Sequence, residues 1–144
     1  PIARDPYVMV VAKNSPLVQH IYEKDGKPYI DPRLCADEKY ILAYPSQRVR
    51  QVTDQILARA GVTPDITFMT SSVETAMRVA SVGIGITLMP QSYISLFTCP
   101  AAPYFCHLED SYEAWWTFVA AYPKDSELSK PAAEMVRILK EIYT

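Results

Sequence analysis

Hydroxyl and amide side chains stand at two points where a strand pattern changes directly into a helix pattern. The first point contains Tyr44, Ser46 and Gln47, and the second is Thr70-Ser71-Ser72. The first backbone N–H groups of a helix lack partners within the helix, and the helix dipole places partial positive charge beside them. Such turns therefore favour the binding of a small, often anionic, ligand.

A purely structural role is the alternative for the second turn. Ser71 and Glu74 have the spacing of a capping box, in which the serine hydroxyl and the glutamate carboxylate satisfy backbone N–H groups of the first turn. In an arbitrary strand-to-helix turn, capping is the commoner role of such serines. The residues alone therefore leave ligand binding and helix capping both open.

The elements around these turns alternate between strands and helices. Apolar, β-branched runs predict strands at 7–12, 40–44, 66–70 and 84–89, with the 66–70 strand buried. A helix predicted from about Arg48 to Ala60 follows the second strand, and a helix from Ser71 to Gly83 follows the third. This order predicts an α/β fold, with a mainly parallel sheet and helices on both faces. Because ligands gather at the carboxyl ends of parallel strands, both turns should meet there.

The last third of the chain adds an edge strand, a long strand and a helix. Residues 104–108 suggest the edge strand, and 115–122 form the long strand, in which Trp115 and Trp116 must point to opposite faces. Ser129 caps the final helix. The apolar face of this helix, with Met135 and Ile142, needs a partner surface.

Composition and motifs exclude several classes of function. A net charge of −2 with scattered Lys and Arg gives no support for direct binding to nucleic acid. No apolar run is long enough to span a bilayer, and no signal peptide is evident, which predicts a cytoplasmic protein. The three cysteines form no C-x-x-C pair, so we expect neither a metal site nor a disulfide framework, and no cofactor. Neither His20 nor His107 belongs to a recognisable triad, which favours a binding module over an enzyme.

Several motifs in order resemble those of one family. They are Lys13-Asn14-Ser15-Pro16-Leu17, Tyr40-Ile41-Leu42 with Gly61, residues 68–75, residues 82–90, Ala121-Tyr122-Pro123-Lys124-Asp125 and residues 128–133. The sequence resembles the effector-binding domain of LysR-type transcriptional regulators nearly end to end. In the family a His often stands where this chain has Ser15.

The resemblance implies a lobe of a fold like that of the type II periplasmic binding proteins. Residues 1–144 would be a fragment of the effector-binding domain. Residues 7–122 would form the second lobe, with crossover strands at 7–12 and 115–122, and residues 123–144 would return a helix to the first lobe. The opening half of the first lobe and the N-terminal winged helix-turn-helix would lie outside this sequence.

The resemblance also implies a function and a set of site residues. A small effector, bound by both lobes, would control DNA binding by the winged helix-turn-helix domain, in a regulator that is a homo-oligomer at full length. The site residues expected on this chain are Thr70, Ser71, Ser72, Ser46 and Gln47, with Tyr44, Met89 and Pro90 as an apolar wall. The alternative is a fragment of a type II solute-binding protein of a transport system. A third, structural alternative is self-association through Met135, Ile138 and Ile142.

Overall fold

The longest strand, β1 (Ala3–Val11), organises the sheet in a computed structural model of the protein, which describes residues 1–143. The second half of β1 pairs antiparallel with β6 and β7, and its first half pairs antiparallel with β8. A hairpin formed by β2 and β3 extends the sheet beyond β7. The ranges of these strands are Tyr22–Lys24 for β2, Lys27–Tyr29 for β3, Thr87–Pro90 for β6, Tyr104–His107 for β7 and Trp115–Phe118 for β8.

Two further strands run parallel and carry the turns of interest. β4 (Lys39–Leu42) pairs in parallel with β5 (Asp65–Met69), and a single parallel bridge joins Tyr40 to Ile86, just before β6. Helix α1 (Arg48–Arg59) connects β4 to β5, and α2 (Val73–Ser81) connects β5 to β6. The predicted α/β class is confirmed. The strands joined by helices are parallel as the alternation predicts, and β1 adds antiparallel ladders, so the sheet as a whole is mixed.

Alternate side chains of β1 enter two separate cores, because successive residues of a strand point to opposite faces. The odd-numbered side chains pack with α1 and the even-numbered side chains pack with α2, which places a helix on each face of the sheet, as predicted. The first core contains Tyr7, Met9, Val11, Val49, Val52, Ile56 and Leu57, and the second contains Val8, Val10, Ile41, Ala76, Met77, Ala80 and Met89. Burial of this apolar surface is the main stabilising term.

Gly85 allows β4 to approach the chain just before β6. A Cβ atom at this glycine would lie 2.7 Å from the backbone oxygen of Lys39, which already accepts a hydrogen bond of 2.8 Å from the backbone N–H of Ile86. Because glycine alone lacks this Cβ atom, the two backbones can come this close. This contact holds β4, and hence the turn that follows it, against the main sheet.

Two strands differ from the prediction in their burial or in their place in the sheet. β5 is an exposed edge strand that pairs with β4 alone, and Phe68 and Met69 are 44% and 41% exposed, so the prediction of a buried strand is wrong. Conversely, β7 lies between β1 and β3 instead of at an edge. The hairpin from β2 to β3 covers its outer side, and the sequence analysis predicts neither of these two strands.

The carboxyl-terminal part contains a shorter strand than the sequence predicts. β8 ends at Phe118 because its partner there is Ala3, the first residue of β1, so residues 119–122 have no strand to pair with. Helix α3 (Lys130–Tyr143) begins after Ser129, whose hydroxyl accepts a hydrogen bond of 3.4 Å from the N–H of Ala132, as predicted. The helix contains no buried residue. Short 3-10 turns at Pro16–His20, Pro32–Cys35, Gln91–Ser95 and Asp110–Tyr112 complete the chain.

Candidate ligand site

The first strand-to-helix turn leads from β4 into α1 without a side-chain cap. Gln47 occupies the N-cap position, yet its side chain makes no capping hydrogen bond to the helix. Instead, its Oε1 accepts a hydrogen bond of 3.1 Å from the backbone N–H of Tyr44. The amide therefore closes the turn on itself and leaves the first N–H groups of α1 without a side-chain acceptor.

The second turn, from β5 into α2, is closed by its own hydroxyl groups. The Ser72 hydroxyl accepts a hydrogen bond of 3.1 Å from the N–H of Thr75, and the Thr70 hydroxyl accepts one of 3.1 Å from the N–H of Ser72. The predicted capping role of Ser71 is therefore wrong, because the helix begins one residue later, at Val73. Glu74 does not complete a capping box, since its carboxylate pairs with Arg78 at 2.9 Å.

One side chain joins the two turns. Nε2 of Gln47 donates a hydrogen bond of 3.2 Å to the backbone oxygen of Ser71. The neighbouring strands are also linked there, because the N–H of Thr70 donates to the oxygen of Leu42 at 3.0 Å. The carboxyl ends of β4 and β5 thus bring the two turns side by side, in the arrangement that the alternation of strands and helices predicts.

A cavity of about 510 Å³ opens between the two turns and the 3-10 turn after β6. Three of the predicted site residues line it, namely Gln47, Ser71 and Ser72. The other lining residues are Arg48, Val49, Val73, Glu74, Tyr93, Phe97 and Trp116. The Ser71 side chain is exposed, and within residues 1–143 its hydroxyl has no hydrogen-bond partner.

The other predicted residues lie around this cavity without lining it. Thr70 is half-buried, while Tyr44 and Ser46 are exposed. Met89 and Pro90 are buried in β6, where they pair with Val8 and Tyr7. The structure therefore does not bring these two residues to the cavity wall.

Three aromatic side chains form one wall of the cavity, and the sequence analysis assigns none of them to the site. The rings of Tyr93 and Phe97 lie 5.8 Å apart, and the rings of Tyr93 and Trp116 lie 6.3 Å apart. Tyr93 belongs to the 3-10 turn after β6, and Phe97 lies just beyond the end of that turn. Only the fold brings Trp116 to them.

A buried carboxylate holds the Trp116 indole in place. Asp5 is 7% exposed and accepts three hydrogen bonds, from Nε1 of Trp116 at 2.9 Å and from the backbone N–H and hydroxyl of Ser92 at 3.1 and 2.6 Å. The neighbouring Trp115 lines a different cavity, of about 360 Å³. The prediction that the two tryptophans serve opposite faces is thereby confirmed.

The charges around the cavity favour an anion. Arg48 lines the cavity and forms no ion pair with any residue of the described chain. The one acidic lining residue, Glu74, is neutralised by Arg78. Because α1 and α2 both begin at the cavity, the positive ends of their dipoles add to the charge of Arg48.

Metal-ligand side chains and cysteine thiols are the other groups that could carry chemistry in this chain. Residues 1–143 contain no cluster of three His, Cys, Asp or Glu side chains that could hold a metal ion. Burial raises the pKa of both the Cys35 and the Cys106 thiol to about 12, so these thiols stay protonated.

Within the described residues, no helix is long and apolar enough to cross a membrane.

Comparison with protein families gives a match over almost the whole chain. The family model for the LysR substrate binding domain matches residues 1–143. Among curated proteins, no sequence matches at a significant level.

Solved structures with similar folds include three regulatory proteins. The regulatory domain of CcmR from Synechocystis PCC6803, solved with 2-PG, is 17% identical with a TM-score of 0.74, over 100% of this chain and 65% of that chain. HinK, a LysR family transcriptional regulator from Pseudomonas aeruginosa, is 18% identical with a TM-score of 0.68, over 99% and 47%. The BenM effector binding domain, solved with benzoate, is 20% identical with a TM-score of 0.68, over 99% and 61%. The chain thus spans less than two thirds of each relative, and at these identities the likeness shows the fold.

Proposed function

Because this chain belongs to the LysR substrate binding domain family, we propose that it senses a small-molecule effector in the cavity between its two strand-to-helix turns. The observation that carries the proposal is the hydrogen bond from Gln47 to Ser71, which joins both turns into one surface. Ser71 contributes a hydroxyl without a partner in the described chain, and Ser72 and Thr70 hold the turn that presents it.

The effector that fits this surface is a small anion with an apolar body. Arg48 and the two helix N-termini supply positive charge, while Tyr93, Phe97 and Trp116 supply an aromatic wall. Small sites of this kind use a few polar groups for orientation and apolar walls for affinity. The 2-PG of CcmR and the benzoate of BenM are both suitable first probes.

The output of the sensor would be control of DNA binding. In the complete gene product, an effector that contacts one arrangement of lobes better than another shifts the population toward that arrangement. DNA contacts would be made by a winged helix-turn-helix domain in a cytoplasmic homo-oligomer, and this chain would bind neither DNA nor substrate for catalysis. All eight predicted site residues stay predictions, and three of them, Gln47, Ser71 and Ser72, line the cavity.

A pair of serine variants tests the proposal. Ser71→Ala in the complete gene product should weaken the response to an effector, found by thermal-shift screening of small anions, and leave affinity for operator DNA unchanged. Ser111→Ala is the matched control. The side chain of Ser111 is also exposed, and its hydroxyl has no hydrogen-bond partner among residues 1–143. Equal responses from the two variants would contradict the proposed role of Ser71.

A further inference from the structure

The hydroxyl of Tyr7 is an unpaired polar group inside the protein. Tyr7 is 1% exposed, and its hydroxyl is the one buried side-chain nitrogen or oxygen in residues 1–143 that has no hydrogen-bond partner. Buried polar groups are nearly always paired, because an unpaired one loses its hydrogen bonds to water without replacement. Phenylalanine would fill the same space without an unpaired polar group. The presence of a hydroxyl at this position therefore calls for an explanation.

Tyr40 shows how the same fold treats an ordinary buried tyrosine. It is 0% exposed, and its hydroxyl donates a hydrogen bond of 2.9 Å to the backbone oxygen of Cys35. Tyr7 and Tyr40 belong to the same core. The two residues are thus matched in type and burial and differ in whether the hydroxyl is paired.

The Tyr7 ring lies directly behind the wall of the candidate ligand site. Its centroid is 5.8 Å from that of Trp116, in an edge-to-face arrangement, and Trp116 lines the cavity. Val49, which packs in the same core as Tyr7, also lines the cavity. Trp116 and Val49 thus connect the core that contains Tyr7 to the wall of the candidate site, while Tyr7 itself also lines the cavity of about 360 Å³ beside Trp115.

The groups around the phenol favour donation to an anionic oxygen. Burial raises the pKa of Tyr7, and so does the nearby Asp5, while Arg48 acts in the opposite direction, so the hydroxyl stays protonated and can donate. Asp5 already accepts from Trp116 and Ser92. Arg48 lines the cavity, has no ion-pair partner in the described chain, and is close enough to Tyr7 to act on the pKa of its hydroxyl.

We propose that the Tyr7 hydroxyl is a ligand-binding group, which donates a hydrogen bond to a carboxylate or phosphate oxygen of the effector once the Trp116 indole is displaced. This inference rests on the proposed function, because it assigns the deep end of the same site. Displacement of the indole breaks its hydrogen bond to Asp5 and opens the space above the phenol. The effector's anionic group then lies between Tyr7 and Arg48.

A measurement without ligand tests the unpaired state of the hydroxyl. Tyr7→Phe and Tyr40→Phe are compared with the wild type by thermal unfolding of the complete gene product. Tyr40→Phe should lower the Tm by about 2–5 °C, because it removes a made hydrogen bond. Tyr7→Phe should leave the Tm unchanged or raise it. A fall equal to that of Tyr40→Phe would show that the hydroxyl is paired and would overturn the inference.

A measurement with ligand tests the binding role, with 2-PG and benzoate as probes. Tyr7→Phe should weaken binding by about tenfold or more, the value of a hydrogen bond to a charged group, while Tyr40→Phe should bind as the wild type does. In a Trp115→Phe background, the emission of Trp116 should change with the probe and saturate at the same concentration.

The outcomes separate this inference from the proposed function. If Ser71→Ala weakens binding and Tyr7→Phe does not, the assignment of Tyr7 is overturned and the proposed function stands. If neither probe binds the wild type in calorimetry and no small anion raises its Tm, the proposed function fails and the binding role of Tyr7 fails with it. Unchanged Trp116 emission on saturation would overturn the displacement of the indole.

Discussion

The two strand-to-helix turns are built from similar sequence patterns and use their polar side chains in different ways. In the second turn, Thr70 and Ser72 satisfy N–H groups of their own turn and helix. In the first, the side chain of Gln47 reaches across to Ser71 and leaves its own helix uncapped. The longer side chain at this N-cap thus makes no capping hydrogen bond and instead joins two elements. The result is a rigid second turn and a first turn whose helix end stays open to a ligand.

The largest expected effect comes from cutting the contact between the turns. Gln47→Ala removes both hydrogen bonds of the amide and should lower the free energy of unfolding by about 1–2 kcal/mol. It should also weaken effector binding, because no side chain then holds the two turns together. Urea unfolding measures the first effect and calorimetry the second. Gln51→Ala, one turn further along α1 and exposed, is the control, and an equal loss in both variants would contradict the bridging role.

The second largest effect tests which serine caps α2. Ser72→Ala should lower the free energy of unfolding by about 1 kcal/mol, the usual loss for a helix N-cap. Ser71→Ala should change it by less than about 0.5 kcal/mol, as at most exposed positions. Urea unfolding of both variants makes the comparison, and the reverse order would restore the capping box that the sequence suggests.

A smaller effect tests the charge at the open end of α1. Arg48→Gln should weaken binding of an anionic effector by about two- to fivefold, as expected for one exposed charge near a helix N-terminus. The difference in affinity between the two proteins should shrink as salt rises, because salt screens the Arg48 charge that only the wild type carries. Titration calorimetry at two salt concentrations provides the measurement. A loss independent of salt would point to packing instead of charge.

The smallest effect concerns Glu74, which the sequence assigns to the cap and the structure assigns to Arg78. A double-mutant cycle with Glu74→Ala and Arg78→Ala should give a coupling of about 0.3–0.5 kcal/mol, typical of an exposed pair four residues apart. A coupling of zero, together with a lower free energy of unfolding for Glu74→Ala alone, would indicate that the Glu74 carboxylate caps the helix instead.

The parts of the fold that follow from local pattern were predictable. The alternation of apolar runs and amphipathic helices specifies α1, α2 and the meeting of the two turns, because the carboxyl ends of parallel strands share one edge. The register of capping was not predictable, since Ser71 and Ser72 are adjacent and either can precede a helix. The exposure of β5 depends on which strands pair, which no local pattern encodes.

The parts of the site that come from distant segments were also missed. Trp116 reaches the cavity from β8, and its orientation depends on the buried Asp5 at the start of β1. The unpaired hydroxyl of Tyr7 is invisible in a sequence, where Tyr7 is one aromatic residue in an apolar strand. Only the packed structure distinguishes it from Tyr40, whose hydroxyl is bonded.

The most direct test of a single site is whether one ligand contacts both turns at once. In a titration of the isotope-labelled protein with an effector found by screening, NMR signals of the backbone amides of Arg48 and Val49 should shift together with those of Ser71 and Ser72. All four signals should follow one saturation curve. Shifts confined to one turn, or to neither, would contradict the claim that the two turns form a single site.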